Sequence, residues 1–338
     1  MKNYRPNISD VARMAGVSTA TVSRALSNPA LVSEGTRDAI RRAIETTGYR
    51  LNETARNLRH RRTGGIVALV PNLANPFFSQ ILSGIASVLG PAGYNLLIAD
   101  TRTAGAGRLL DYADPSRADG LIVLDGSLPA AALSGRVPVV EACEWVPGLE
   151  APRVKIDNRA AAGLAVAHLA DLGHRRIGHV AGPPGNVLSI ARLAGFEDML
   201  RLRNLPCDAA ALYQGDFSLD SGRAAAALWL EQPAKTRPTA VFLASDAMAC
   251  GFIGEVQRHG LSVPQDVSVV GFDDIELIAH ISPPLTTIRQ PRTAIGQIAA
   301  ERLLNRLRGK DDPDQDTILP VELIIRASSA RPAPEAGP

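Results

Sequence analysis

The sequence predicts an α/β protein in two parts. A small N-terminal three-helix head carries a helix-turn-helix, and a body of two doubly wound parallel-sheet subdomains follows it. Three observations predict this. Residues 1–62 hold 12 Lys and Arg against 5 Asp and Glu, whereas the remainder holds 24 against 29. Three short amphipathic stretches, punctuated by Gly16, Asn28-Pro29 and Gly48, fill the head. From Gly65 onward, fully apolar strands alternate with amphipathic helices, and the alternation starts twice.

A chain of 338 residues has room for two or three domains. Its 46% hydrophobic and 21% charged residues are ordinary for a globular protein, and 4% aromatics imply mostly aliphatic cores. Cys143, Cys207 and Cys250 lie far apart with no CxxC spacing. That argues against a disulfide framework or a zinc site and suits a reducing cytoplasm. No apolar run reaches membrane-spanning length, and the first residues, MKNYRPNISDVARMAG, hold no apolar signal core. The expectation is a cytoplasmic protein with no membrane partner, no cofactor and no metal.

In the head, ISDVARMA reads as the first helix, with Asn7 or Ser9 as N-cap and Val11, Ala12 and Ala15 on one side. Gly16 ends it. Ser18 caps a second helix from Thr19 to Leu26, whose inner face is Val22, Ala25 and Leu26, and SNPA breaks it. Ser33 caps a third, Glu34 to Thr47, with Ile40, Ala43 and Ile44 inward and Gly48 as its stop. A tight turn between the first two helices makes this a helix-turn-helix.

The second helix is built from Ser18, Thr19, Ala20, Thr21, Val22, Ser23 and Arg24, although Ser and Thr are indifferent helix formers. DNA contact explains the choice. A helix entering a major groove roughly 12 Å wide needs short side chains where the backbones approach. Hydroxyls and helix N-termini bond phosphates, a Thr methyl touches a thymine methyl, and Arg bonds a guanine edge at two points. The plainer alternative is a polar face on a solvated basic bundle. The turn, the charge and the third helix together disfavour it.

The run DVARMAGVSTATVSRALSNPALVSEGTRDAIRRAIETTGYRLN resembles the head of the LacI/GalR family of bacterial transcription regulators. The resemblance implies that Thr19 and Ala20 choose the operator, while Ser18, Thr21, Ser23 and Arg24 make more uniform contacts to double-stranded operator DNA. It also implies that LNETARNLRHRRTGG holds a hinge helix that orders on DNA, with Asn52 as cap and Ala55 and Leu58 on the helix. The Leu58 pair of two subunits would wedge into the minor groove and kink the duplex. Such a helix is too short to be stable alone in water. An ordinary charged linker is the alternative. Leu51 stands where the family usually has proline, which loosens the start of the hinge.

In the body, GIVALV, YNLLIAD, DGLIVLDG, VPVVEA and VKI read as strands, and PFFSQILSGIASVLGPAG as a helix. The pattern restarts with a helix from Arg159 to Leu172, the strand RIGHVAG, a helix from Ile190 to Arg203, then TAVFLASD and VSVVGFDD. The stretch TRTAGAGRLLDYADPSRA, interrupted by Pro115, is expected to give an abbreviated or irregular helix. In open α/β sheets ligands bind beyond the carboxyl ends of the strands. Asp157, Ser245, Asp246 and Asp273 stand at such ends.

VPNLANPFF, LGHRRIGHVAGPP, RLAGF, GDFSLDSG, SVVGFDDIELIAHISPPLTTIRQP and LIIR resemble the same family's body, a type I periplasmic-binding-protein-like fold, so the resemblance spans nearly the whole chain. It implies a head at 1–50, a hinge at 51–63, an effector-binding and dimerisation body at 64–331, and a tail at 332–338. Subdomain one is expected at about 64–158 with 290–318, and subdomain two at about 159–289 with 319–331. The resemblance further implies a cleft that binds an effector through Phe77, Phe78, Asp157, Arg192, Phe217, Ser245, Asp246 and Asp273. The chemistry suits a nucleoside or sugar: Asp accepts hydroxyl protons, Arg donates in a fixed fork, and an aromatic ring covers an apolar face. Motif details lean toward the cytidine-repressor branch of the family. The whole implies a homodimeric repressor, with most of the dimer contact along the outer helices of subdomain one. The C-terminus has no heptad leucines for a tetramer-forming coiled coil.

Enzyme readings find little support. Gly182-Pro183-Pro184-Gly185 lacks the Lys-Ser/Thr of a P-loop, and Gly64-Gly65 is a linker rather than GxGxxG. His168, His174 and His179 are spaced too irregularly for a metal set on one helix face, and His174-Arg175-Arg176 reads as a surface turn. A nucleoside- or sugar-processing enzyme remains an alternative. So does a solute-binding protein with the same body, which would need an export signal and no basic head.

Overall fold

A computed structural model describes residues 6–49, 62–102, 111–310 and 316–333. Asn52, Ala55, Leu58 and residues 103–110 of the TRTAGAGRLLDYADPSRA stretch fall outside these residues, as does the end of the tail. The chain divides into two compact units, Met1–Arg62 and Thr63–Pro338.

The first unit contains α1 (Ile8–Ala15), α2 (Thr19–Ser27) and α3 (Glu34–Thr47). Asn7 caps α1: its side chain accepts the Ser9 and Asp10 amides, and Asp10 reaches back to the Asn7 amide at 3.0 Å. Gly16 takes the left-handed conformation, φ 67°, that lets the chain turn at once into α2. Val11, Ala12, Val22, Ala25, Ile40 and Ala43 form the small core, with Val17 of the turn packed against it. Ser33 occupies the N-cap position of α3 as the sequence suggests, but its hydroxyl bonds Thr36 Oγ1 at 2.9 Å instead of a backbone amide.

The second unit is two six-stranded sheets. Its strands are β1 (Gly65–Val70), β2 (Asn95–Asp100), β3 (Gly120–Val123), β4 (Val139–Ala142), β5 (Arg153–Ile156), β6 (Ile177–Ala181), β7 (Leu212–Gln214), β8 (Ala240–Leu243), β9 (Ser268–Asp273), β10 (Thr286–Arg289), β11 (Asp316–Leu319) and β12 (Glu322–Ile324). The first sheet runs β11-β5-β4-β3-β1-β2 and the second β12-β10-β9-β8-β6-β7. Every pairing is parallel except β10 with β12. The chain therefore passes between sheets after β5, after β10 and after β11. The helices are α4 (Phe77–Leu89), α5 (Ala130–Leu133), α6 (Asn158–Asp171), α7 (Val187–Leu202), α8 (Leu219–Glu231), α9 (Asp246–Arg258) and α10 (Arg292–Leu307). Strands β1, β8 and β9 are buried along their whole length, which is why their sequences do not alternate.

Two details differ from the sequence expectation. Helix α7 begins at Val187 instead of Ile190, because Asn186 Oδ1 accepts the Leu188 and Ser189 amides. His174 is not part of a surface turn. It is 1% exposed. Its Nδ1 meets Thr239 Oγ1 at 2.9 Å and its Nε2 meets Ala330 O at 2.9 Å, so the segment near the C-terminus covers it.

His179 of β6 is also buried, stacked between the rings of Phe196 and Phe242 at 5.0 and 4.9 Å. Burial pulls its pKa down from 6.5 to about 4. The folded ring is neutral, so on acidification the unfolded chain takes up a proton first. His179 then costs about 1.4 kcal/mol per pH unit below the unfolded value, until the folded ring itself titrates. Thermal denaturation of His179→Leu beside wild type should show the difference in Tm moving in favour of the variant from pH 7 to pH 5. A difference that stays constant over that range would contradict this account.

Candidate functional site

The recognition face of the head is set by α2. Ser18 is its N-cap: Oγ accepts the Thr21 amide at 3.1 Å and lies 2.9 Å from Thr21 Oγ1. Two of the six singled-out side chains are thus engaged with each other at the helix start. Val22 and Ala25 point into the core, which turns Thr19, Ala20 and Arg24 to the exposed side, with Ser23 partly buried beside them. Thr19 with Ser23, and Ala20 with Arg24, stand four residues apart and share one face. The amino end of α2 therefore presents small groups, one guanidinium and no acidic side chain in its first turn.

In the body the organising group is Arg192 on α7, 2% exposed. Its Nε donates to Asn158 Oδ1 at 2.9 Å and its Nη1 to Ala244 O, just past the end of β8. The guanidinium lies 3.7 Å from the Phe272 ring centre and 5.7 Å from that of Phe217. Burial draws its pKa down, and the nearby charges of Asp273 and Glu144 oppose that.

Asp273 closes β9. It is 6% exposed and accepts Gln290 Nε2 at 2.8 Å. Burial raises its pKa to about 6, although Arg192 and Gln290 favour the ionised form. Asp273 has φ 122° and Asp274 φ 57°, Phe217 has φ 67°, and Cys143, just past β4, has φ 68°. Four non-glycine residues in left-handed or neighbouring conformations thus gather at carboxyl ends of strands or the loops that follow them. Strain of this kind concentrates at functional sites.

The other singled-out residues divide. Ser245 caps α9 by accepting the Met248 amide at 3.2 Å, and its hydroxyl donates to Phe217 O at 3.5 Å. Asp246 is turned inward and fully buried. It accepts Ile275 N at 2.9 Å and Thr287 Oγ1 at 2.6 Å, and burial with the Asp273 charge raises its pKa. Asp157 is exposed and accepts the Ala160 amide as N-cap of α6. Phe77 and Phe78 are buried in an edge-on pair 5.1 Å apart at the start of α4.

Sequence reasoning passed over four residues that the structure adds. Asn158 holds Arg192. Gln290 holds Asp273. Glu144 of the first subdomain accepts Gly126 N at 2.8 Å and, at 3.1 Å, the side chain of Asn186 in the second. Burial raises the Glu144 pKa. Asn158 and Asn186 follow strand ends directly or open helices, and that position is the one signal by which they could have been found. A second contact joins the subdomains, where Gln80 of α4 bonds Glu276 and Arg292 Nη2 donates to Asp274 O at 2.8 Å. Among the described residues there is no cluster of metal-ligating side chains, and no helix is long and apolar enough to cross a membrane.

Residues 7–52 match the bacterial regulatory proteins of the lacI family, and residues 166–329 match the periplasmic binding protein-like domain. The chain is 40% identical over 326 residues to the HTH-type transcriptional repressor CytR of Escherichia coli (strain K12), covering 95% of each. The chain belongs to the lacI family. As a lacI-family member it is a DNA-binding transcription regulator. It is also 35% identical over 331 residues to the HTH-type transcriptional repressor PurR of Aliivibrio fischeri (strain MJ11), covering 95% of this chain and 97% of that one. Among solved structures it resembles the lac repressor dimer bound to operator and the anti-inducer ONPF, with TM-score 0.84 and 30% identity over 97% of this chain and 100% of that one. A transcriptional regulator CelR–cellobiose complex is similar at TM-score 0.73 and 32% identity, over 96% and 100%. All four of these relatives are named as repressors or transcriptional regulators.

Proposed function

We propose that the protein is a cytoplasmic homodimeric repressor whose operator affinity is set by a nucleoside or sugar bound between its two subdomains. The observation that carries this reading is the buried Arg192 guanidinium, within electrostatic reach of the buried Asp273 and 5.7 Å from the centre of the half-buried Phe217 ring. A donor fork, an acceptor carboxylate and an aromatic face are the three things a ring bearing hydroxyls needs. Ser245 adds a hydroxyl at the same edge. Asp246, Phe77 and Phe78, all buried, and Asp157, exposed at the start of α6, complete the proposed cleft. The domain division is that of the sequence reading: head 1–50, hinge 51–63, body 64–331. Homodimerisation is supported by the lac repressor dimer to which the chain is similar. Thr19 and Ala20 select the operator, Ser18, Thr21, Ser23 and Arg24 anchor it, and Asn52, Ala55 and Leu58 belong to the hinge.

Arg24→Ala should weaken binding to a duplex selected from a random pool by roughly 1–3 kcal/mol, the worth of a two-point base contact. Substitutions at Thr19 and Ala20 should instead change which duplex is selected. Unchanged affinity of Arg24→Ala in a gel-shift series at fixed salt would remove α2 from the interface.

Asp273 accepts ligand protons at both oxygens, and with full charge, only when ionised, and burial raises its pKa to about 6. Effector affinity should therefore fall as pH drops from 7 to 5, and Asp273→Asn should bind more weakly with a flatter profile. Calorimetric titration with cytidine, adenosine and D-ribose at three pH values reads this. A wild-type profile that matches that of Asp273→Asn would exclude the carboxylate from the contact.

A further inference from the structure

Ser189 sits on the first turn of α7, three residues before Arg192, so both project from one side of that helix. It is 6% exposed, and its hydroxyl has no hydrogen-bond partner. A buried hydroxyl left so needs a reason. Capping is not the reason, because Asn186 Oδ1 already takes the amides at this end, including that of Ser189 at 3.2 Å. The reason lies in the surroundings. A Cβ placed on Gly182, the residue after β6, would stand 2.5 Å from Ser189 Oγ and 2.2 Å from two carbons of the Phe217 ring. Hydroxyl, bare backbone and ring edge therefore pack together at one corner, where a side chain at 182 would collide with both.

We propose that the Ser189 hydroxyl is a specificity-determining effector contact, bonding the polar edge of a ring laid on Phe217, one helical turn from the Arg192 guanidinium. This rests on the effector reading above and deepens it. The effector is a ring with a hydrogen-bonding group on its edge, and a base or a pentose supplies that chemistry. A ligand lacking the group leaves a buried hydroxyl unsatisfied and is rejected for that reason.

The inference carries a signature that a structural serine would not. Removing an unpartnered buried hydroxyl leaves no orphan behind, so Ser189→Ala should have a Tm equal to or above that of wild type. At the same time its affinity for effector should fall about tenfold, the factor for one lost neutral hydrogen bond. The experiment is calorimetric titration of the full-length wild type, Ser189→Ala and Arg192→Ala with cytidine, adenosine and D-ribose, beside thermal denaturation without probe. A loss seen with D-ribose as well as the nucleosides assigns the contacted group to the pentose, and a loss confined to a nucleoside assigns it to the base. Wild-type affinity in Ser189→Ala overturns the inference alone, as does a lower Tm. Failure of all three probes to bind wild type overturns the effector reading, and this inference with it.

Discussion

A guanidinium removed from water is the constraint on which the body depends. Arg192 stays charged under all ordinary conditions, so burial at 2% exposure requires that its donors be met and its charge balanced. Asn158, at the amino end of α6, and Ala244 O, at the end of β8, meet two donors. Phe272 covers one face. Asp273 and Glu144 supply opposite charge from different elements, Glu144 from the first subdomain. Three strand ends and one helix start are thereby referred to a single side chain.

Burial governs how the carboxyl pKa values around Arg192 move, and Arg192 opposes it at Asp273 and Glu144. Burial alone pushes Asp273, Asp246 and Glu144 toward the neutral form. Asp246 answers with bonds from Thr287 and the Ile275 amide and becomes part of the frame. Asp273, on a strained backbone and held by the amide of Gln290, is less committed and sits near neutrality. Asp273 and Asp274 are adjacent, yet one faces Gln290 and the other takes Arg289 and Arg326 at 2.6 Å each. Asp274 lies where the second subdomain, through its carbonyl and Arg292, meets the first. That gives a short physical route by which occupancy of the cleft can bias the arrangement of the subdomains.

Much of this was legible in the sequence because burial and capping write directly into residue choice. Unbroken apolar strands announced parallel sheets, Gly16 announced the turn before α2, and the hydroxyl-rich start of α2 announced its exposed face. Arg192 and Asp273 were singled out by motifs that resemble those of the family, and both are buried. What escaped were residues whose role is set by tertiary position. Asn158 and Gln290 read as ordinary polar residues until the fold sets them against Arg192 and Asp273. His174 looked like a surface residue, because nothing local indicates that the segment ending in Ala330 returns to cover it. Asp246 and Asp157 look alike in sequence at strand ends, yet one is latched inward and the other caps a helix at the surface.

The central claim is that occupancy of the Arg192 cleft and grip on the operator are one linked equilibrium. Linkage requires reciprocity: the factor by which an effector changes operator affinity must equal the factor by which the operator changes effector affinity. The direct measurement is effector titration of the full-length protein with and without saturating selected duplex, beside duplex titration with and without saturating effector, at one salt concentration. The account predicts equal factors of roughly 5–150-fold from the two titrations, the usual range of such couplings. An effector that binds the cleft with the same affinity whether or not the duplex is present would contradict it.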